Sequence, residues 1–286
     1  MTQVPQEGSR QPTAAGAAGR PRSVWMAIVT GLLLAVVVVG TLLAGKLAFF
    51  VLAFIVVIIA QAELYAVLKA AGFAPAVLVG LICGSVTLIG AYREGVPALA
   101  LGLALPLPLL LLWGLTVPIE RVRSVVSSTY LGIVYGPLLV GFAILVLRGP
   151  NGLVLIATVI GMTAFHDAGA YLIGRKIGRH QFAPRTSPGK TWEGLAAGTL
   201  VTVAASVAFL PLIEPFDAWL ALRLSLVISV TTPLGDLAES LIKRDLGVKD
   251  MGTLMPGHGG FFDRIDAIIF NAPVAYLVLH VLEWAP

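Results

Sequence analysis

Apolar runs long enough to span a membrane follow one another along almost the whole sequence. Hydrophobic residues make up 58% of its 286 residues, and charged residues make up only 12%. Such a composition is typical of a polytopic membrane protein rather than a soluble domain, and about 20 apolar residues suffice for an α-helix to cross a bilayer. The sequence therefore predicts an all-α, polytopic integral membrane helical bundle. We expect about nine spans, at residues 24–45, 47–68, 74–92, 97–117, 125–147, 153–173, 192–212, 218–241 and 265–284.

The N-terminal part of the sequence determines the number of spans and where the membrane domain begins. Only Gly45 and Lys46 form the junction between the first two spans, so eight spans are an alternative. Residues 1–22 are rich in Gly, Pro, Gln, Ala and Arg without apolar periodicity, which predicts a disordered tail. The membrane-embedded domain then covers residues 23–286, with its N-terminal spans in 24–147 and its more polar C-terminal spans in 153–286.

Basic residues are distributed unequally between the loops. Nine spans with the N-terminus in the cytoplasm place four of the 19 Lys and Arg outside: Lys46, Arg93, Arg148 and Arg223. All the others fall on the cytoplasmic side, as the positive-inside rule requires for a protein of the cell (inner) membrane. The net charge of +4 thus reflects topology. No basic stripe is interleaved with aromatic residues, so we expect no nucleic-acid partner.

The most polar stretch of the chain, residues 235–266, joins the last two predicted spans. Its first part contains four polar side chains at positions i, i+3, i+4 and i+7: Asp236, Glu239, Ser240 and Lys243. This spacing places them on one face of a helix. Charged groups at the end of a membrane-length helix are costly unless they face a cavity, a metal or one another. We interpret this face as a functional site near the water boundary, with a simple interfacial helix end as the alternative.

A glycine loop leads from that helix into the last predicted span. His258 is followed by Gly259 and Gly260, and a glycine pair lets backbone N–H groups approach a ligand closely. If the two helices are antiparallel neighbours, Asp263 on the second meets Asp236 on the first. Two carboxylates form the hard oxygen site that Mg²⁺ prefers. With basic residues on both sides, this arrangement predicts Mg²⁺-dependent phosphoryl or nucleotidyl transfer.

A second polar segment separates the sixth and seventh predicted spans. Asp167 lies in apolar sequence with Tyr171 one turn later, so we expect both to face the protein interior. Ser187 and Lys190 follow in a glycine-containing loop that offers a cation and N–H groups to phosphates. The loop is not the P-loop of nucleotide triphosphatases, because the earlier glycine and the preceding strand are missing. An inner-leaflet anchor is the alternative role for Lys190.

The polar residues also form a specific pattern. SLIKR at 240–244, KD at 249–250 and HGGFFDRID at 258–266 together resemble the signature of the phosphatidate cytidylyltransferases, also called CDP-diacylglycerol synthases. DAGAY at 167–171 and SPGKTWEG at 187–194 are similar to a second motif of that family. This chain departs from the usual motifs at Met255, at Ala168, where a hydroxyl residue is usual, and at His166, where a small residue is common.

The resemblance implies transfer of the cytidylyl group of CTP to phosphatidic acid, giving CDP-diacylglycerol and pyrophosphate. CTP, phosphatidic acid and the lipid bilayer are the implied partners. A homodimer and a second metal or monovalent cation stay open. Of the candidate residues, the two metal ligands would be Asp236 and Asp263, and the catalytic group would be Asp236, Asp263, Lys243 and Arg264. The expected substrate-binding residues are Asp167, Tyr171, Ser187, Lys190, Ser240, Arg244, Lys249, His258, Gly259 and Gly260.

Two other functions remain alternatives from the sequence. One is another CTP-dependent lipid enzyme, such as a polyprenol kinase or a cytidylyltransferase for a different lipid phosphate. The other is a proton-coupled transporter, in which Asp167, His166 and Asp236 would form a relay. Polar residues cluster near one membrane face and no internal repeat is apparent, which favours the enzyme.

Overall fold

The fold is entirely helical over the residues that a computed structural model describes, 24–255 and 259–280, with side chains described from residue 29 onward. The predicted tail and His258 lie outside these ranges. The helices are α1 Val24–Ala44, α2 Lys46–Ala70, α3 Val77–Arg93, α4 Val96–Ala104, α5 Pro106–Gly114, α6 Ile119–Ile133, α7 Leu139–Arg148, α8 Gly152–Ile177, α9 Trp192–Phe209, α10 Ala218–Asp245 and α11 Phe262–His280. The predicted all-α membrane fold is confirmed.

Six helical segments among the described residues are long and apolar enough to cross a membrane. They are Lys46–Ala70, Val96–Gly114, Ile119–Arg148, Gly152–Ile177, Trp192–Leu212 and Ala218–Asp245. Helix α3 has only 17 residues, the part of α1 with described side chains begins at residue 29, and α11 carries Asp263, Arg264 and Asp266 in its first turns. The predicted count of nine is therefore not confirmed, and the orientation of the bundle stays a prediction from the loop charges.

Prolines mark two irregular points in the helices. Leu105 separates α4 from α5, which starts at Pro106. Pro137 lies in a five-residue π-helical turn, Val134–Leu138, between α6 and α7. Proline has no backbone N–H to donate, and a widened π turn accommodates that gap without ending the helix. The side chain of Tyr135 in this turn is thereby directed into the bundle, where it contacts Phe262.

Helices α8 and α9 pack with their backbones almost in contact. Gly194 and Gly198 lie one turn apart on α9, as in the small-residue interfaces of membrane helices. A Cβ atom at Gly198 would lie 2.7 Å from the backbone oxygen of His166, and one at Gly194 would lie 2.9 Å from that of Ala170. Only glycine fits at both places, and the close packing fixes α9 relative to α8.

A buried amide holds three helices around the polar region. Asn271 of α11 is fully buried and donates to Thr163 of α8 at 2.7 Å and to Thr232 of α10 at 2.9 Å. Its Oδ1 accepts from Thr231. Unpaired polar groups are costly away from water, so these bonds fix the register of α8, α10 and α11.

We expect Gly198→Leu to destabilise the protein, because its side chain would enter the space occupied by the α8 backbone. Overpacking of this kind costs about 1–3 kcal/mol. Thermal melting in detergent is the measurement. Gly161→Leu on α8 is the matched control, because a Cβ atom there meets nothing within 4 Å. Equal melting temperatures for the two variants would contradict the proposed backbone contact.

Candidate active site

One face of α10 forms the floor of a large cavity. Asp236, Glu239, Ser240 and Lys243 all line it, as their helical spacing predicted. Helix α10 continues through Pro233 to Asp245 without a break. The polar face and the apolar span are therefore parts of one rigid element.

The cavity has a volume of about 780 Å³ and joins two different surroundings. Its polar end contains Asp167, Ser187, Lys190 and Arg264 in addition to the α10 face. Its other wall is apolar and comes from α1, α2, α7, α8 and α11, including Leu34, Val38, Phe49, Val140, Ile156 and Ala272. Such a space suits a molecule or a pair of molecules with a charged end and long apolar chains.

A folded loop positions Lys190 in the cavity. Phe182 donates its N–H to the backbone oxygen of Lys190, so the loop closes on itself just before α9. Thr191 caps α9 by accepting from the N–H of Gly194 at 3.2 Å. The Lys190 ammonium then forms an ion pair with Asp236 at 2.6 Å, and both side chains are only about a quarter exposed.

Lys243 bridges two carboxylates on different helices. Its Nζ lies 2.6 Å from Glu239 Oε2, one turn earlier on α10, and 3.0 Å from Asp263 Oδ1 on α11. Glu239 and Asp263 are 2% and 4% exposed in their side chains. Removing one partner of a buried ion pair leaves a charge without compensation, so loss of this lysine would leave two adjacent buried carboxyl groups without the cation that they share.

Asp263 also organises the glycine loop. Its carboxylate accepts from the N–H of Gly260 at 2.7 Å and from that of Met251 at 3.0 Å. Gly259 has a φ of 83°, which favours glycine. A Cβ atom at Gly259 would lie 2.7 Å from Asp263 Oδ2. The glycines therefore let a protein carboxylate approach. Neither of them lines the cavity, and their expected role in substrate binding stays a prediction.

Three acids gather at the centre of the site. The Asp266 carboxylate interacts with those of Asp236 and Glu239. Glu239 Oε1 is buried and has no hydrogen-bond partner among the described residues. From the sequence, Glu239 was placed on the polar face of the helix but was given no catalytic, binding or metal role. Asp266 lies within the signature and was likewise given no role.

Glu63 of α2 lies beneath the loop and was also not selected. Its Oε2 accepts from the N–H of Phe262, 199 residues away, at 3.1 Å. A Cβ atom at Gly252 or at Gly260 would lie within 2.5 Å of its carboxylate oxygens. The sequence could have singled out Glu63 only as a carboxylate within an apolar run. The spacing of residues near Glu63 does not indicate that its partner is a loop about 200 residues later.

The remaining predicted residues are divided between different places. Tyr171 lines a second cavity, beside the first, rather than the main one. Arg244 and Lys249 line neither of these cavities, and the Arg244 Nε is directed at the backbone oxygen of Thr186 at 3.5 Å. His258 cannot be placed, because it lies outside the described residues.

The acidic side chains of the site bear on whether it can hold a metal ion. No three His, Cys, Asp or Glu side chains in 24–255 and 259–280 are arranged to hold a metal ion by themselves. The clustered acids, with the unpartnered Glu239 Oε1, nevertheless fit a hard cation that takes its other ligands from water and phosphate oxygens. The donor set is compatible with Mg²⁺ in this way.

Fold and site together define an integral membrane protein with a charged cavity that continues into an apolar wall. The sequence model of the Cytidylyltransferase family matches residues 25–282, so the chain belongs to that family. It is 29% identical to the phosphatidate cytidylyltransferase of Mycobacterium bovis over 97% of this chain and 95% of that protein. The corresponding protein of Mycobacterium leprae is 32% identical over 91% and 89%. That of Brucella suis is 40% identical over 46% and 49%.

We expect Glu63→Ala to loosen the loop that precedes α11. The change leaves the N–H of Phe262 without its acceptor, at a cost of about 1–3 kcal/mol. Glu63→Gln keeps an acceptor oxygen and is the matched control. Thermal melting and the rate of limited proteolysis between Lys249 and Phe261 are the measurements. If both variants behave like the parent, Glu63 does not support the loop.

Proposed function

We propose that the protein transfers the cytidylyl group of CTP to phosphatidic acid and releases pyrophosphate. The observation that carries this proposal is the single cavity with a lysine- and carboxylate-lined end and an apolar wall from five helices. Family membership and the names of the relatives support the same reaction. The acyl chains of phosphatidic acid would lie along the apolar wall. The phosphate of the lipid and the triphosphate of CTP would lie at the polar end.

The reaction requires positioning and charge compensation more than acid–base chemistry. A phosphate oxygen of the lipid attacks the α-phosphorus of CTP, and the bond from that phosphorus to the bridging oxygen of the β-phosphate breaks. The attacking phosphate is already ionised at neutral pH, so no strong general base is needed. Negative charge accumulates on the departing pyrophosphate, and cations near it lower the barrier.

Lys190 and Lys243 are suited to that charge compensation. An ammonium group has three N–H donors. Lys190 directs its donors to Asp236 and to the backbone oxygen of Pro233, and Lys243 directs its donors to Glu239 and Asp263. Among the described contacts each lysine thus retains a donor for a phosphate oxygen. Arg264 supplies a further positive charge at the same end of the cavity.

Mg²⁺ is the cofactor that we propose for this site, held by carboxylates of α10 and α11. When bound, it would supply Lewis-acid charge neutralisation for the phosphates. The sequence pointed to Asp236 with Asp263. The geometry favours Asp236 with Asp266 instead, because Asp263 is already engaged by Lys243 and two backbone N–H groups. In this proposal Asp263 positions Lys243 and the loop.

The test of the function is turnover by the purified full-length protein in detergent. We expect CTP-dependent conversion of phosphatidic acid to CDP-diacylglycerol with one pyrophosphate released per lipid. A lipid kinase would instead release CDP and phosphorylate the lipid, which separates that alternative by product analysis. Absence of pyrophosphate release with phosphatidic acid would contradict the proposal.

The metal assignment is tested by replacing each acid with its amide. Because metal ligands act through charge, Asp236→Asn and Asp266→Asn should lower turnover about 100-fold or more and raise the Mg²⁺ concentration needed for half-maximal activity. Asp263→Asn should lower turnover at an unchanged Mg²⁺ requirement. Asp245→Asn, at the end of α10 and outside both cavities, is the control. A shifted requirement in Asp263→Asn but not in Asp266→Asn would restore the original pair.

A further inference from the structure

A second cavity adjoins the first and has no role in the function described so far. Its volume is about 420 Å³, within the range of small-molecule sites. Helix α8, the loop that carries Lys190, the start of α9 and α10 form its walls. It is a compact chamber beside the charged end of the main cavity.

Three charged residues line both cavities: Asp167, Lys190 and Asp236. The two spaces therefore meet at the Lys190–Asp236 ion pair. A ligand with a phosphate at Lys190 can extend one part into each of them. The apolar wall for acyl chains belongs to the main cavity, which leaves the second chamber for a different part of the reacting molecules.

The second chamber contains a buried histidine without hydrogen bonds. His166 is 1% exposed, and neither ring nitrogen has a hydrogen-bond partner among the described residues. The nearest carboxylate oxygen, Asp167 Oδ1, lies 3.6 Å from Nδ1, beyond hydrogen-bond distance. A buried polar group without a partner costs free energy, and a ligand that donates to or accepts from the ring would recover it.

Aromatic side chains also line the chamber. Phe182 and Tyr171 line the chamber, and Phe182 packs against Trp192 with ring centroids 5.4 Å apart. Aromatic walls with a few polar groups are suited to a planar ligand with hydrogen-bonding edges. Arg175, which donates to the Tyr171 hydroxyl at 3.2 Å, adds a positive charge at the same place.

We propose that the second chamber binds the nucleoside end of the nucleotide and that His166 makes one hydrogen bond to it. This inference rests on the proposed function, since it assigns one part of CTP to a place. The triphosphate then crosses the Lys190–Asp236 junction into the polar end of the main cavity, and the lipid phosphate approaches from the apolar side. His166 is a substrate-binding residue that contributes to selection of the nucleotide.

The experiment compares three kinetic constants of the full-length enzyme: the KM for CTP at saturating phosphatidic acid, the KM for phosphatidic acid at saturating CTP, and the inhibition constant of inorganic pyrophosphate. His166→Phe keeps a ring of similar size without hydrogen bonding. We expect it to raise the KM for CTP about tenfold, with the other two constants unchanged. His166→Gln, which retains a donor and an acceptor, should recover most of the affinity.

The matched control is Ser229→Ala. Ser229 is also buried with an unpartnered side-chain oxygen among the described residues, but it lines neither cavity. All three constants should stay at their parental values in this variant. If thermal melting shows that His166→Phe fails to fold, His166→Ala, which removes the ring without adding volume, is used for the same comparison.

The other outcomes are distinguishable. A raised KM for phosphatidic acid with an unchanged KM for CTP would overturn the proposal and assign the chamber to the lipid headgroup. Unchanged constants in every His166 variant would overturn it as well. If the parental protein does not convert CTP and phosphatidic acid at all, the proposed function fails, and this inference fails with it.

Discussion

Pairing of lysines with buried carboxylates is the interaction on which the site depends. Lys243 links α10 to α11 through Glu239 and Asp263, and Lys190 links the loop before α9 to Asp236. Breaking a buried ion pair by removing one partner typically costs about 3–5 kcal/mol. Glu239 and Asp263 in particular are almost completely buried. The positions of α9, α10 and α11 around the cavity are therefore tied to a balance of charge as much as to apolar packing.

The lysines do not balance all the carboxylates of the site, and this excess of negative charge connects stability with function. The acids of α10 and α11 outnumber the lysines directed at them, and Glu239 Oε1 has no partner among the described residues. A site with surplus carboxylates attracts cations, and a site with paired lysines can exchange a carboxylate contact for a phosphate contact at small electrostatic cost. Preorganised charges of this kind contribute most to transition-state stabilisation, because they need not reorient during the reaction.

The sequence predicted the parts of this site that depend on local periodicity. The α10 face followed from helical spacing alone, and the apolar runs indicated the membrane fold. Contacts between distant segments did not follow from spacing. Asp263 and Asp266 lie one turn apart on the same helix. Only the folded structure shows that Asp263 is already engaged, by Lys243 and by the loop N–H groups of Met251 and Gly260. The partner of Glu63 depends on how α2 packs against α11, which no motif describes.

The position of Glu63 bears on whether the C-terminal half of the chain could act as a separate unit. Every signature residue lies in the C-terminal half, which suggests an independent catalyst attached to a membrane anchor. The loop before α11 nevertheless has its acceptor on α2, and α1 and α2 form part of the apolar wall of the main cavity. A fragment limited to the C-terminal half would have an N–H group without its acceptor and a binding site without one side. The cavity and the membrane-spanning bundle are thus built from the same helices, and we expect neither half to function alone.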